Sequence, residues 1–254
     1  MVATKANRLP RPNKAAEVID HGQRRSVVVR QLLGDIFNGS LRAGQRLIIQ
    51  QLARRLKMSP TPIREGLIQL ASMGIIDFIP NCGGVVREMT SSDVREICQV
   101  RRALECEATR SACGRIDLSQ LHALAHALRR IATSKRIGAG SVDKARQLDS
   151  ELHDLIAQNC GNRFLASELE RLKILFRAFR DAAWDDRVAG HDYYRVSEEA
   201  EEHLAIVNAL LERDPRGAAR AMSLHIRASV KYWNRSLPPV NDYAGRKETP
   251  CVVP

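Results

Sequence analysis

LIIQQLARRLKMSPTPIREGLIQLASMGIIDFIPNCGGVVRE, residues 47–88, is the stretch whose reading decides the fold. Apolar residues at Ile48, Leu52 and Leu56 recur at helical spacing, which predicts one short helix. Lys57 and Met58 make a tight break. Ser59 follows as a helix N-cap, with Pro60 and Pro62 in the first turn, where a missing N–H costs little. Ile63, Leu67 and Leu70 carry a second helix that ends near Gly74. Two short apolar runs, 75–79 and 85–86, flank the loop Pro80-Asn81-Cys82-Gly83-Gly84 and read as a hairpin. Two short helices across a tight turn, then a hairpin, form the pattern of a winged helix-turn-helix.

The run Leu52-Ala53-x-x-Leu56-x-x-Ser59-x-Thr61-Pro62-Ile63-Arg64-Glu65-x-Leu67-x-x-Leu70, with Gly74-Ile75-Ile76 and Pro80-x-x-Gly83, resembles the DNA-binding domain of GntR-type bacterial transcription regulators. The resemblance implies double-stranded DNA as a partner. It departs at two positions. The family usually has Arg after the capping Ser, where this chain has Pro60, and often a basic residue before the wing glycine, where it has Cys82.

The chain has 254 residues and a formal net charge of +11. Residues 1–90 hold 14 Lys and Arg against 6 Asp and Glu, and the remainder is nearly balanced at 26 against 23. The basic excess therefore lies with the helix-turn-helix, where a phosphate surface favours it. No apolar run approaches the length of a membrane span, and no apolar stretch follows the N-terminal Met-Val-Ala-Thr-Lys-Ala-Asn-Arg. A cytoplasmic protein with no membrane partner is expected. The six cysteines show no paired metal-type spacing and are expected as reduced thiols. Aromatics make up 4%, which favours a helical bundle over a sheet sandwich.

Residues 1–23 read as a disordered basic tail, and 24–90 as the winged helix-turn-helix domain, opened by an amphipathic helix from Arg24 to Asn38. Leu41 to Leu47 is expected as a turn. Arg42 and Arg46 in it are candidates for phosphate contact, or else plain surface charges. On the recognition helix Thr61 and Arg64 share a face at i and i+3, near the N-terminal end that enters a major groove. Ser59 stands at that same end. Arg64 could instead pair with Glu65 or Glu88. Gly83 would let the wing backbone approach a groove, although a plain hairpin would also use glycine.

Residues 91–237 show only helical periodicity, in six segments: 93–113, 117–134, 142–160, 162–184, 193–213 and 215–235. Gly114, the 138–140 loop, Gly161, Gly190 and the Asp214-Pro215 pair separate them. The fold class expected is mainly α: a winged helix-turn-helix followed by an all-α antiparallel helical bundle. Residues 238–254, with three prolines, read as a disordered tail.

Asp149 and His153 are four apart on one predicted helix, and His203 and His225 stand on two others. Three helices can bring one carboxylate and three imidazoles together inside a bundle. Spacing alone favours ordinary bundle residues over ligands, since an Asp-x-x-x-His pair occurs often by chance. His122 and His126 also sit at i and i+4, but nothing accompanies them, and they read as surface or packing residues. Arg101 falls on the inward face marked by Ile97, Leu104 and Ala108, and a buried Arg needs an anion. Glu105, at i+4, could be its whole partner.

Val100-Arg101-Arg102-Ala103-Leu104-Glu105, Asp149-x-x-x-His153-x-x-Ile156 with Gly161-Asn162, Glu202-His203-x-x-Ile206-x-x-Ala209-Leu210, and Met222-x-x-His225-Ile226 resemble, in order, the FCD domain of the FadR-type branch of the GntR regulators. The resemblance implies that Asp149, His153, His203 and His225 bind a divalent metal. Zn is expected first, with Ni, Mn or Fe also suited to three imidazoles and a carboxylate. It further implies a small carboxylate effector, for which Arg101 is the candidate anchor. A homodimer is expected, because a helix-turn-helix commonly reads two half-sites of a near-palindromic operator. The competing reading is a metal-dependent hydrolase or lyase fused to a nucleic-acid-binding module. Sequence pattern places no further Glu, Lys or Tyr beside the ligands as an acid or base, so an enzyme is not expected.

Overall fold

A computed structural model of the protein describes residues 21–80, 82–134, 138–189 and 194–235. The two tails expected to be disordered lie outside the described residues, except that helix α1 (His21–Phe37) already includes positions 21–23. α1 buries Val28, Val29, Leu32, Leu33 and Ile36 against the rest of the N-terminal domain. It is followed by β1 (Arg46–Leu47), α2 (Ile49–Leu56), α3 (Pro60–Ser72), β2 (Ile76–Ile79) and β3 (Gly83–Val86).

The helix-turn-helix forms as its sequence pattern predicts, with one shift. Ile48 is the N-cap of α2 and is 39% exposed, and Ile49, Leu52 and Ala53 are the residues buried. Lys57 closes α2 in the left-handed region (φ 52°), and its N–H reaches Arg54 O at 3.3 Å. α1 and α3 approach closely. A β-carbon at Gly66 would stand 2.7 Å from Val28 Cγ1, so a residue without a side chain sits where the helices meet.

The wing differs more. The segment expected as a turn before α2 contains β1, and the sheet has three strands in the order β1-β3-β2, all antiparallel. Gly83 and Gly84 belong to β3 rather than to a loop, opposite Ile79 and Phe78. A two-residue strand has no period to read, which is why sequence pattern missed it. Among the described residues Cys98, Cys106, Cys113 and Cys160 are free thiols.

The second domain is a helical bundle of α4 (Ser91–Ala112), α5 (Leu118–Ala132), α6 (Ala139–Asn159), α7 (Arg163–Ala189), α8 (Tyr194–Leu211) and α9 (Pro215–Arg235). α4 opens with a capping box. The Thr90 hydroxyl accepts from the Asp93 N–H at 3.2 Å, and the Thr90 N–H donates to Asp93 Oδ2 at 2.7 Å. α9 starts as its sequence predicts: Asp214 accepts from the Arg216 and Gly217 N–H groups, with Pro215 first in the helix. α6 begins at Ala139, inside the expected 138–140 loop, and α7 runs past Trp184 to Ala189. α4 packs on α9, α8 on both α5 and α9, and α6 and α7 cross them, which places the middle of α4, α6, α8 and α9 around one interior point. α7 also packs on α1 and so joins the bundle to the N-terminal domain.

Candidate metal centre and nucleic-acid interface

The interior point of the bundle gathers Asp149 and His153 from α6, His203 from α8 and His225 from α9. One donor atom from each lies within 4.8 Å of all the others. The Nε2 atoms of His153 and His203 stand 3.7 and 3.4 Å from Asp149 Oδ1. The rings of His203 and His225 are 4.4 Å apart. Asp149, His203 and His225 are buried, and His153 is half-buried. The Nε2 atoms of His203 and His225 are buried with no hydrogen-bond partner. Leaving such an atom unpaired is costly, and a lone pair aimed at three similar ligands is what a cation requires.

Groups behind the ligands orient them. The Nδ1 side of His225 meets Glu202 Oε2 at 2.9 Å, and the Nδ1 side of His153 meets Glu105 Oε2. A carboxylate there fixes the N–H on Nδ1 and turns Nε2 inward. Burial pushes the His203 imidazole well below its ordinary pKa, so it stays neutral, the form that binds metal. Burial alone would raise the Asp149 carboxyl. The Arg180 guanidinium, then His153 and His203, outweigh it and hold the group ionised far below the usual carboxylate range. For Glu105 burial is likewise overcome by Arg101 and His153, which bring it to about 2. The residues present therefore fit a divalent ion.

Arg101 is 5% exposed. Its Nε donates to Glu105 Oε1 at 2.7 Å, so the short-range partner read from the sequence is present. Its Nη2 also lies 3.3 Å from His153 Nε2, and its guanidinium carbon is 5.4 Å from the Phe176 ring centre and 5.2 Å from that of Trp233. Arg101 thus borders both the cluster and an open cleft that Asp149 and His153 also line.

Sequence reasoning missed Arg180. It reaches Asp149 from α7 and also donates to Ser150 Oγ at 2.9 Å. The signal was available: Arg180 continues the inward row of Leu169, Phe176 and Phe179, as Arg101 does on α4. Glu202 was visible only as the neighbour of His203. His122 and His126 are exposed and take no part in the cluster, in agreement with their surface reading.

In the N-terminal domain, Ser59, Thr61 and Arg64 are exposed at the start of α3, opposite its buried face of Pro62, Ile63, Gly66, Leu67 and Leu70. Ser59 is the N-cap by backbone geometry but makes no side-chain cap bond. Pro60 and Pro62 remove two of the N–H groups that a helix start ordinarily presents to an anion. Arg42 is exposed, and its N–H donates to Gln45 Oε1 at 3.0 Å. Arg46 is exposed on β1, paired with Val85. Gly83 is buried with φ +113°, and a β-carbon there would stand 2.0 Å from Leu47 O. Contact with β1 is therefore enough to require glycine at that position, without a groove.

Residues 24–86 match the family described as bacterial regulatory proteins, gntR family, and residues 96–228 match the FCD domain. The HTH-type transcriptional repressor RspR of Escherichia coli (strain K12) is 30% identical over 204 residues, 78% of this chain and 84% of that protein. The Nta operon transcriptional regulator of Aminobacter aminovorans is 29% identical over 185 residues, 73% of this chain and 82% of that protein. The structure of E. coli McbR/YncC shares the fold, with a TM-score of 0.63 at 21% identity over 84% of this chain and 97% of that one. No described helix is long and apolar enough to cross a membrane. With a helix-turn-helix head, an FCD bundle and a relative at this identity over most of both lengths, the chain belongs to the gntR family of bacterial regulatory proteins and is a DNA-binding transcriptional regulator rather than an enzyme.

Proposed function

We propose that this regulator is a cytoplasmic homodimeric repressor whose bundle binds a divalent metal and a small carboxylate effector, and that the effector alters the affinity of the heads for a near-palindromic operator. The observation that carries the metal is the convergence of Asp149, His153, His203 and His225, with two buried Nε2 atoms lacking partners. Zn suits three imidazoles and a carboxylate and is the metal proposed; Ni, Mn and Fe are the competitors in the test. A bound ion supplies a Lewis-acid anchor for a carboxylate. Arg101, beside His153 and open to the cleft, supports the carboxylate class, because its guanidinium offers planar two-point recognition.

For DNA, Thr61 and Arg64 on the exposed face of α3 are proposed as major-groove contacts, with Ser59, Arg42 and Arg46 on phosphates and the Gly83 backbone at the wing. Effector binding shifts operator affinity only as far as it prefers one placement of the heads over another. The test is elemental analysis of the purified protein, followed by a thermal-shift screen of carboxylates with and without Zn²⁺ and operator titration under the same conditions. A metal-free protein whose melting no carboxylate changes would refute the sensing role while leaving the DNA-binding assignment intact.

A further inference from the structure

Granted that a carboxylate is the ligand, we propose that the cleft selects a monocarboxylate with a flat apolar body, of the benzoate or phenylacetate class, and that Phe176 and Trp233 set this preference. The first argument is charge. Arg101 is paired with Glu105 (2.7 Å), Arg177 with Asp154 (2.8 Å), Lys173 with Glu170, and Arg180 with Asp149. Glu199, which also lines the cleft, shares Arg195 (3.7 Å) with Glu202 (2.9 Å). Asp181 stands against Arg180 at 2.7 Å and Arg146 at 3.8 Å. The side chains thus supply no surplus of positive charge. With Arg146 and Glu202 counted, the paired carboxylates exceed the cations by one, so a divalent ion leaves room for one further carboxylate. A second or third carboxylate would be desolvated without a partner, which costs far more than the first gains.

The second argument is the wall. The guanidinium carbon of Arg101 stands 5.4 Å from the Phe176 ring centre and 5.2 Å from that of Trp233. Ile156, Ala157 and Leu169 also line the cleft. Phe176, Trp233, Ile156 and Leu169 are all buried. A carboxylate anchored at Arg101 directs its body along these side chains. An aromatic body gains ring contacts there. A sugar acid would set the hydroxyls that lie along these apolar side chains against carbon, and each of those would lose its water without replacement.

The experiment uses the full chain reconstituted with Zn²⁺, with sodium benzoate, phenylacetate, citrate, gluconate and acetate as probes, read by thermal shift and calorimetry. Benzoate or phenylacetate should raise the melting temperature at concentrations where citrate and gluconate do not. Phe176→Leu should weaken the aromatic acid by about 2–10-fold, the value of one ring contact, and leave acetate binding unchanged. Phe176→Tyr provides a second variant that keeps the ring, and it should retain the aromatic acid. Tighter binding of citrate or gluconate than of either aromatic acid would overturn this selectivity and leave the carboxylate reading standing. If no probe binds to wild type, or if Arg101→Lys binds every probe as wild type does, the carboxylate reading falls and the inference with it.

Discussion

The ring of Phe37, in the last turn of α1, lies 4.2 Å from the ring of Phe179 in α7, with the planes tilted by 39°. Phe37 belongs to the N-terminal domain and Phe179 to the bundle, and both are buried. Phe179 in turn stacks on Trp233 at 5.1 Å and 8°. Trp233 stands over Arg101. Three rings and a guanidinium therefore connect the cleft to the DNA-binding head through direct contact. Close-packed side chains of this kind transmit a displacement at one end only by repacking at the other.

Phe179→Leu should reduce coupling between the sites while keeping the contact apolar. Operator affinity is to be titrated with and without the carboxylate giving the largest thermal shift, in Zn²⁺-loaded protein. Coupling of this kind is commonly about 5–150-fold. The variant should bring that ratio close to one, with metal content and carboxylate binding retained. An unchanged ratio would exclude the ring contact as the connection.

Arg64→Ala should weaken operator binding without altering the fold, because Arg64 is exposed and contributes nothing to the buried face of α3. If Arg64 meets a phosphate, the slope of log K against log salt should become shallower by about 0.9. If it reads a base edge instead, affinity falls and discrimination between operator and unrelated DNA falls with it. Equal affinity and equal slope in the variant and the wild type would take Arg64 out of the interface.

Pro60→Arg restores the basic residue that the family usually carries after its capping Ser. Pro60 is exposed at the first position of α3, so the new side chain meets solvent rather than core. Binding to non-specific DNA should strengthen and its salt slope steepen. Weaker binding to all DNA would mean that Pro60 is needed for the helix start itself.

Gly66→Ala sets two opposed effects against each other. Alanine in a helix interior gains roughly 1 kcal/mol over glycine. The added methyl carbon would stand 2.7 Å from Val28 Cγ1, and such overpacking costs about 1–3 kcal/mol. β-Branched Val28 sits in the interior of α1 and has little freedom to turn away. The variant should therefore melt at a lower temperature, and the loss should vanish in a Val28→Ala background. A more stable Gly66→Ala single variant would show that α1 and α3 are not in contact at this point.

Much of this was legible before the structure, for reasons that differ by element. Ser59 with Pro60, and Asp214 with Pro215, announced two helix starts, because N-capping and fixed proline backbone are local. The bundle helices were readable from their 3.6-residue period. β1 was not, since two residues carry no period and its partners in β3 lie 37 and 39 positions away, Gly84 for Leu47 and Val85 for Arg46. Asp149 and His153 share a helix and could be paired by spacing. The addition of His203 and His225 rested on family resemblance, because nothing local relates α6, α8 and α9. Arg180 escaped because its partner Asp149 lies 31 positions away, and only its place in an apolar row marked it.

The last prediction concerns His203. Its Nε2 is buried without a hydrogen-bond partner and stands 3.4 Å from Asp149 Oδ1. His203→Ala should lower metal content sharply and abolish the response to carboxylate, while operator binding without effector survives. His122→Ala, on the exposed face of α5, is the control and should change neither. The metal-free proteins offer a second readout. Burial lowers the folded-state pKa of His203 well below the ordinary 6.5, so between those two values the unfolded chain takes up a proton that the folded one refuses. The stability this group contributes is present above about pH 6.5 and is lost as pH falls towards the folded pKa. Metal-free wild type should therefore lose more melting temperature than metal-free His203→Ala between pH 7.5 and pH 5.5. Wild-type metal content in His203→Ala, or equal acid sensitivity of the two metal-free proteins, would mean that His203 neither binds the ion nor is held neutral in the interior.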